Sequence, residues 1–212
     1  MNPMLERLKT LLLSTEDFRE IEFDGENFRE LLALRGIAQN PKYHPEGDAF
    51  THTILVMNQA ARLRTQAWSP FAFMLAALCH DYGKAVCTAK KDGKIVSYGH
   101  EKSGVPLAQS FMERFGVDQE TRRLVLNHVE YHMRPNGLYL QNSSEKATRR
   151  LFKKSLCPED LLLLAKADSS GRGMGGPMRN YGDNEQWLRE RLEDFHRWQN
   201  ENKIQRTDQP VS

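Results

Sequence analysis

Apolar residues recur every three or four positions along most of this chain, the spacing of helices that each bury one face. Met4 to Leu13 predicts the first helix, and Asn27 is placed to cap a short one that ends before Gly36. The stretch QNPKYHPEGDAF, with two prolines and a glycine, interrupts the period and reads as a loop that delivers the chain to His52. A helix from His52 to about Arg64 presents Ile54, Leu55, Met57 and Ala61, and Ser69-Pro70 then offers an N-cap followed by proline at the first helical position. The next helix, FAFMLAALCHDYG, is apolar on nearly every side, so it belongs at the centre of the fold, with Gly83 placed to end it.

Asp92-Gly93 between short extended arms predicts one β-hairpin in CTAKKDGKIVSYG. Helices resume at about His100 to Phe115 with Gly116 as stop, Asp118 to Met133 with Asp118 as cap, Ser144 to Lys154, and Pro158 to Asp168. The tail EQWLRERLEDFHRW predicts a further amphipathic helix, and the last ten residues read as frayed. No internal repeat or low-complexity tract is visible. The expected fold class is all-α: a helical bundle with one small β-hairpin.

Composition narrows the function classes. Apolar residues make up 39% and charged residues 27%, far from the corner where chains stay disordered. Thirty basic residues against 28 acidic ones leave a formal charge of +2, so any nucleic-acid contact must be local, and no stable nucleic-acid complex is expected. Cys79, Cys87 and Cys157 are an odd number without a C-x-x-C pair, which argues against a disulfide framework and a zinc finger and points to a reducing, cytoplasmic setting. Glu6, Arg7 and Lys9 interrupt the N-terminal leucines, unlike a signal peptide. The longest apolar run, Phe71 to Cys79, is too short to span a bilayer, so no membrane association is expected.

Seven histidines carry the candidate chemistry, and five of them fall near helix ends or beside loops in one central block. His80-Asp81 ends the apolar helix, where a buried carboxylate is costly unless it is paired or bound to a metal; a plain cap of the turn into Gly83 is the bland alternative. Gly83-Lys84 directly after it, His52 one helix earlier and Asp168 in LLLLAKADSSGRG make three helix ends that supply imidazole, imidazole plus carboxylate, and carboxylate. Such a donor set without thiolate suits manganese, iron, nickel, cobalt or magnesium, with zinc less favoured. Arg172 is a candidate for holding a phosphate. His100 begins a helix, and His128 and His132 lie four apart on another, a spacing competent for metal and also common by chance. His44 fits either a supporting or a packing role, and His196 reads as a surface residue.

The ordered pattern H…HD…D, with HDYGK after an apolar helix, resembles the signature of the HD-domain metal-dependent phosphohydrolases. The segments YHPEGDAFTHTILVMNQAA, FMLAALCHDYGK, YGHEKSGVPLAQ, EYHMRP and AKADSSGR, over roughly residues 41 to 173, are similar to the HD domain that follows the nucleotidyltransferase core in some bacterial CCA-adding proteins. The resemblance implies an all-helical HD fold and hydrolysis of phosphomonoesters or 2′,3′-cyclic phosphodiesters in small nucleotides or RNA ends by metal-activated water. It implies His52, His80, Asp81 and Asp168 as metal ligands, with His100 and His132 matching further positions of two-metal members; on the residues' own spacing, His100 with His132, or with His128, is expected to complete a second site across Asp81. Lys84 and Arg172 are then expected to neutralise the phosphate. The nucleotidyltransferase motif with its paired aspartates is missing from these residues, so CTP or ATP addition is not expected. The expected organisation is a helical extension over 1–40, an HD core over 41–175 and a C-terminal helix and tail over 176–212, in one compact domain. A catalytically silent HD-fold module that binds nucleotide or RNA is the rival.

Overall fold

Helix α4 (Pro70–Cys79) runs through the middle of the protein because no part of its surface suits water: Ala72 through Cys79 are all fully buried. The computed structural model describes residues 2–172 and 181–207. Against α4 pack α1 (Pro3–Ser14), α3 (Ala49–Leu63), α7 (Gln119–Tyr131) and α10 (Pro158–Ser170). Helix α6 (His100–Phe115) lies along α7 and over the short α5 (Lys84–Cys87), while α11 (Tyr181–Thr207) covers α8 (Arg134–Leu140), α9 (Glu145–Lys154) and α10. The fold is all-α, and the strands among the described residues are β1 (Ala89–Lys91) and β2 (Lys94–Val96), paired antiparallel. No described helix is long and apolar enough to cross a membrane.

Leu8 and Leu12 of α1 sit in the same apolar cluster as α4, so the N-terminal helix closes one side of the core. Each buried leucine contributes about 2 kcal/mol by removal from water. A smaller cluster of Leu151, Phe152, Leu161 and Phe195 fixes α11 to α9 and α10.

Several elements depart from their expected ends for local reasons. Helix α3 begins at Ala49, one turn before its loop was expected to finish, because the Asp48 carboxylate caps it by accepting from Thr51 N. Asn27 caps nothing: it bonds Asp24, and the short α2 (Arg29–Leu32) starts without a side-chain cap. Ser69 stands at the N-cap of α4, but the capping is done by Asp160, whose two oxygens accept from Trp68 N and Ser69 N. The hairpin turn holds Asp92 and Gly93 at φ 49° and 75°, as its sequence requires. Helix α7 ends at Tyr131, and the chain turns at once into α8, which the pattern around Pro135 and Gly137 did not announce. Helix α11 continues to Thr207, into the tail expected to fray; residues 208–212, and the boundary placed after residue 175, lie outside the described residues.

Candidate metal centre

Six predicted side chains meet at the open end of the bundle, each delivered by a helix end or a helix flank. His52 comes from α3, His80 and Asp81 from the turn after α4, His100 from the first residue of α6, His132 from the residue after α7, and Asp168 from the last turn of α10. All six are buried. Two glycines let the helices come this close. A Cβ on Gly83 would lie 2.0 Å from the His100 carbonyl oxygen, and one on Gly171 would lie 2.9 Å from Val56 N. Gly83 is therefore no helix stop, since its φ of −63° is ordinary; its role is backbone contact between the His80-Asp81 turn and α6.

The six fall into two triads whose donor atoms lie within 4.8 Å of one another: His52, His80 and Asp168, and Asp81, His100 and His132. Asp81 stands between them. Its Oδ2 is 3.2 Å from His80 Nε2 and 3.7 Å from His52 Nε2, while Oδ1 is 3.2 Å from His100 Nε2 and 3.9 Å from His132 Nε2. His52 Nε2 is 3.0 Å from Asp168 Oδ1. Ligands at about 2.1 Å from one ion sit roughly 3–3.5 Å apart, so these separations suit a shared cation.

The second nitrogens fix the tautomers. His80, His100 and His132 each donate Nδ1–H to the carbonyl three residues earlier, at 2.9 Å to Ala77, 2.8 Å to Ser97 and 2.7 Å to Val129. His52 donates Nδ1–H to Glu46 Oε1 at 2.7 Å. Every Nε2 is thereby turned toward the centre, the arrangement that metal-binding histidines use. His100 and His132 then point lone pairs at each other across 3.3 Å, which a cation between them would relieve. His80 Nε2 is buried without a hydrogen-bond partner, as an atom reserved for an ion would be. The residues thus fit one or two divalent ions.

Charge in the site is balanced for that purpose. Burial pushes Asp81 up, but His80 and Lys84 outweigh it and hold the carboxyl well below its ordinary range. Asp168 is likewise kept ionised against burial by Arg172 and His52. Burial brings His132 down to about 3, so it is neutral and able to ligate. Glu46 resists burial through its bonds to His44 and His52 and falls to about 2. The Lys84 ammonium stands 2.6 Å from Asp81 Oδ2 and donates to Gln39 Oε1 at 2.6 Å; Arg172 pairs with Asp168 at 3.1 Å. Both cations also line an open cleft of about 810 Å³ above Asp81 and Asp168.

His128 does not join the others. Its Nε2–H donates to the Cys157 carbonyl at 3.2 Å, on the side of α7 facing the start of α10. Helical spacing places His128 and His132 near one another, but His132 sits beyond the helix end, and its ring follows the Val129 carbonyl toward His100. His196 is half-exposed beside Glu159. His44, with its Nδ1–H on Glu46 at 2.8 Å, borders the cleft. Glu46 and Gln39 were not picked out from the sequence: both lie in or beside an irregular loop, where no periodicity says which way a side chain turns.

An all-helical bundle that closes four histidines and two aspartates on one another at the foot of a cleft defines a class of histidine–aspartate metal proteins. The chain belongs to the HD domain family, a family of metal-dependent phosphohydrolase type, whose model matches residues 49–170. It is 34% identical over 174 residues to the "Multifunctional CCA protein" of Actinobacillus pleuropneumoniae serotype 5b (strain L20), covering 78% of this chain and 41% of that protein. The proteins of the same name from Pasteurella multocida (strain Pm70) and Thioalkalivibrio sulfidiphilus (strain HL-EbGR7) are 36% and 35% identical, over 68% of this chain and 35% of theirs. The chain spans about two fifths or less of the length of these relatives.

Proposed function

We propose that this protein is a metal-dependent phosphohydrolase that cleaves phosphomonoester or 2′,3′-cyclic phosphodiester bonds in nucleotides or RNA ends. The observation that carries the reading is the Asp81 carboxylate, one oxygen facing each histidine pair, at the floor of a cleft that also presents Lys84 and Arg172. His52, His80, Asp168 and Asp81 Oδ2 would hold one ion, and His100, His132 and Asp81 Oδ1 a second; manganese, iron, nickel, cobalt or magnesium suits such donors. A divalent ion held there supplies a Lewis acid for the phosphoryl group and makes water acidic enough to attack at neutral pH. Glu46 keeps the proton on His52 Nδ1, leaving Nε2 to ligate. Lys84 and Arg172 bring positive charge to the phosphoryl oxygens. No nucleotidyltransferase motif occurs in these residues, so the likeness to CCA proteins is read as hydrolysis alone, without incorporation of CTP or ATP.

The test is a screen of metal-free protein reloaded with each ion, against 2′,3′-cyclic nucleotides, nucleoside monophosphates and dinucleotides. Hydrolysis of at least one class, abolished by EDTA and restored by metal, is expected. Binding of nucleotide without turnover under any metal would replace the enzyme by a silent regulatory module.

A further inference from the structure

We infer that the β1–β2 hairpin and the turn after it form an arm that holds an unpaired base, with Tyr98 as its stacking surface. The cleft then takes the phosphate-bearing end of a single-stranded oligonucleotide in preference to a small phosphate ester. This rests on the reading of the cleft as a phosphate site and names its substrate class.

Tyr98 is 77% exposed and, among the described residues, has no aromatic or cationic partner. A tyrosine ring left in water adds nothing to the core, yet the backbone that carries this one is held in place. It stands in the turn Ser97 to His100, where Gly99 takes a φ of +78° and the Ser97 carbonyl accepts from both His100 N and His100 Nδ1. Tyr98 is therefore carried on the same four-residue turn that orients a histidine of the metal centre. Tyr43, also lining the cleft, is 42% exposed, and its ring lies 5.6 Å from the Lys42 ammonium. Tyr98 is the more exposed of the two tyrosine rings that line the cleft, and no cation lies over it among the described residues.

The charge around the cleft points to a polyanion. Lys84 and Arg172 at its floor face Asp81 and Asp168, whereas Lys42, Lys94 and Arg134 line it with no carboxylate in ion-pair range among the described residues. Lys90 and Lys91 extend the positive charge along the exposed hairpin. A single phosphate at the floor does not need these outer cations, but the following phosphates of a chain do. A volume of about 810 Å³ has room for more than the reacting group. Exposed aromatic rings beside unpaired cations are how proteins hold single strands without reading sequence.

The experiment measures binding and turnover separately. A labelled tetranucleotide ending in a 3′-phosphate, in ribose and deoxyribose forms, is titrated into wild type, Tyr98→Ala, Tyr98→Phe and Lys94→Ala in EDTA by fluorescence anisotropy. Tyr98→Ala is expected to weaken binding about tenfold and Tyr98→Phe less than about twofold, as loss and retention of one stacked base require. Lys94→Ala is expected to reduce the salt dependence by about one phosphate contact. With metal restored, the ratio of KM for the oligonucleotide to KM for p-nitrophenyl phosphate should rise about tenfold in Tyr98→Ala. A Tyr98 effect on either sugar supports the arm and identifies the strand. Unchanged binding and an unchanged KM ratio in Tyr98→Ala overturn it. If no ester is hydrolysed by any form, the phosphohydrolase reading fails, while the anisotropy in EDTA still decides the arm.

Discussion

Gly83 touches the backbone of His100: a Cβ at position 83 would stand 2.0 Å from the His100 carbonyl oxygen and 2.6 Å from Gly104 N. That contact sets the start of α6 close enough to the His80-Asp81 turn for His100 Nε2 to reach Asp81 Oδ1 at 3.2 Å. Gly83→Ala must push two backbones apart, at a cost of about 1–3 kcal/mol or more. The displaced element carries His100, so the variant is expected to lose metal from the His100–His132 side beyond what its lower Tm explains. Metal analysis alongside thermal melts checks this, and a destabilised Gly83→Ala protein with full metal content would refute it.

Asp81→Asn keeps the shape of the side chain and removes the charge that both triads share. Metal content is expected to fall at both positions, and kcat by at least about 100-fold, more than outer partners of metal ligands usually cost. His132→Ala touches one triad only and should cost one ion where two are bound. Elemental analysis of the two variants side by side decides it: Asp81→Asn retaining the wild-type complement would remove Asp81 from the bridging position.

The helices and the four-residue HD pattern were legible because they rest on local rules: apolar spacing, capping residues, and a charged pair at the end of an apolar helix. The Asp92-Gly93 hairpin was legible for the same reason. What escaped depends on contacts distant in sequence. Asp160 caps α4 from more than ninety residues away, so Ser69 looked sufficient. Helix α8 contains a proline and a glycine, and it is tied in by Asn136, whose amide donates to Ala165 O and Ser169 Oγ and accepts from Asn184. Glu46 lies six residues before His52 in a loop, and only the folded chain turns its carboxylate under that ring.

Glu46→Gln tests that carboxylate. The amide cannot accept from both His44 and His52 with the strength of an anion, so metal affinity should weaken about 10–100-fold while the fold persists. The acid response should change as well. Glu46 moves from 4.5 down to about 2 on folding, so it contributes stability that is fully present above pH 4.5 and is lost as pH falls toward 2. In metal-free protein, the Tm difference between wild type and Glu46→Gln should shrink from pH 5 to pH 3. A difference that stays constant over that range would show that Glu46 does not titrate as described.

His128 gives the complementary case, a buried histidine with a structural task. Its Nε2–H holds the Cys157 carbonyl at the start of α10, and burial lowers its pKa below the ordinary 6.5. The unfolded chain takes up a proton near pH 6.5 while the folded chain does not, so the stability tied to a neutral His128 is present above pH 6.5 and is lost as pH falls below it. Glutamine can offer an amide N–H to the same carbonyl and does not titrate. His128→Gln is therefore expected to flatten the fall in Tm between pH 7 and pH 5, with metal content and kcat as in wild type. Melts across that range and elemental analysis provide the check. Loss of metal on the scale of His132→Ala would return His128 to the ligand set and place its ring, in the working protein, on the other side of α7.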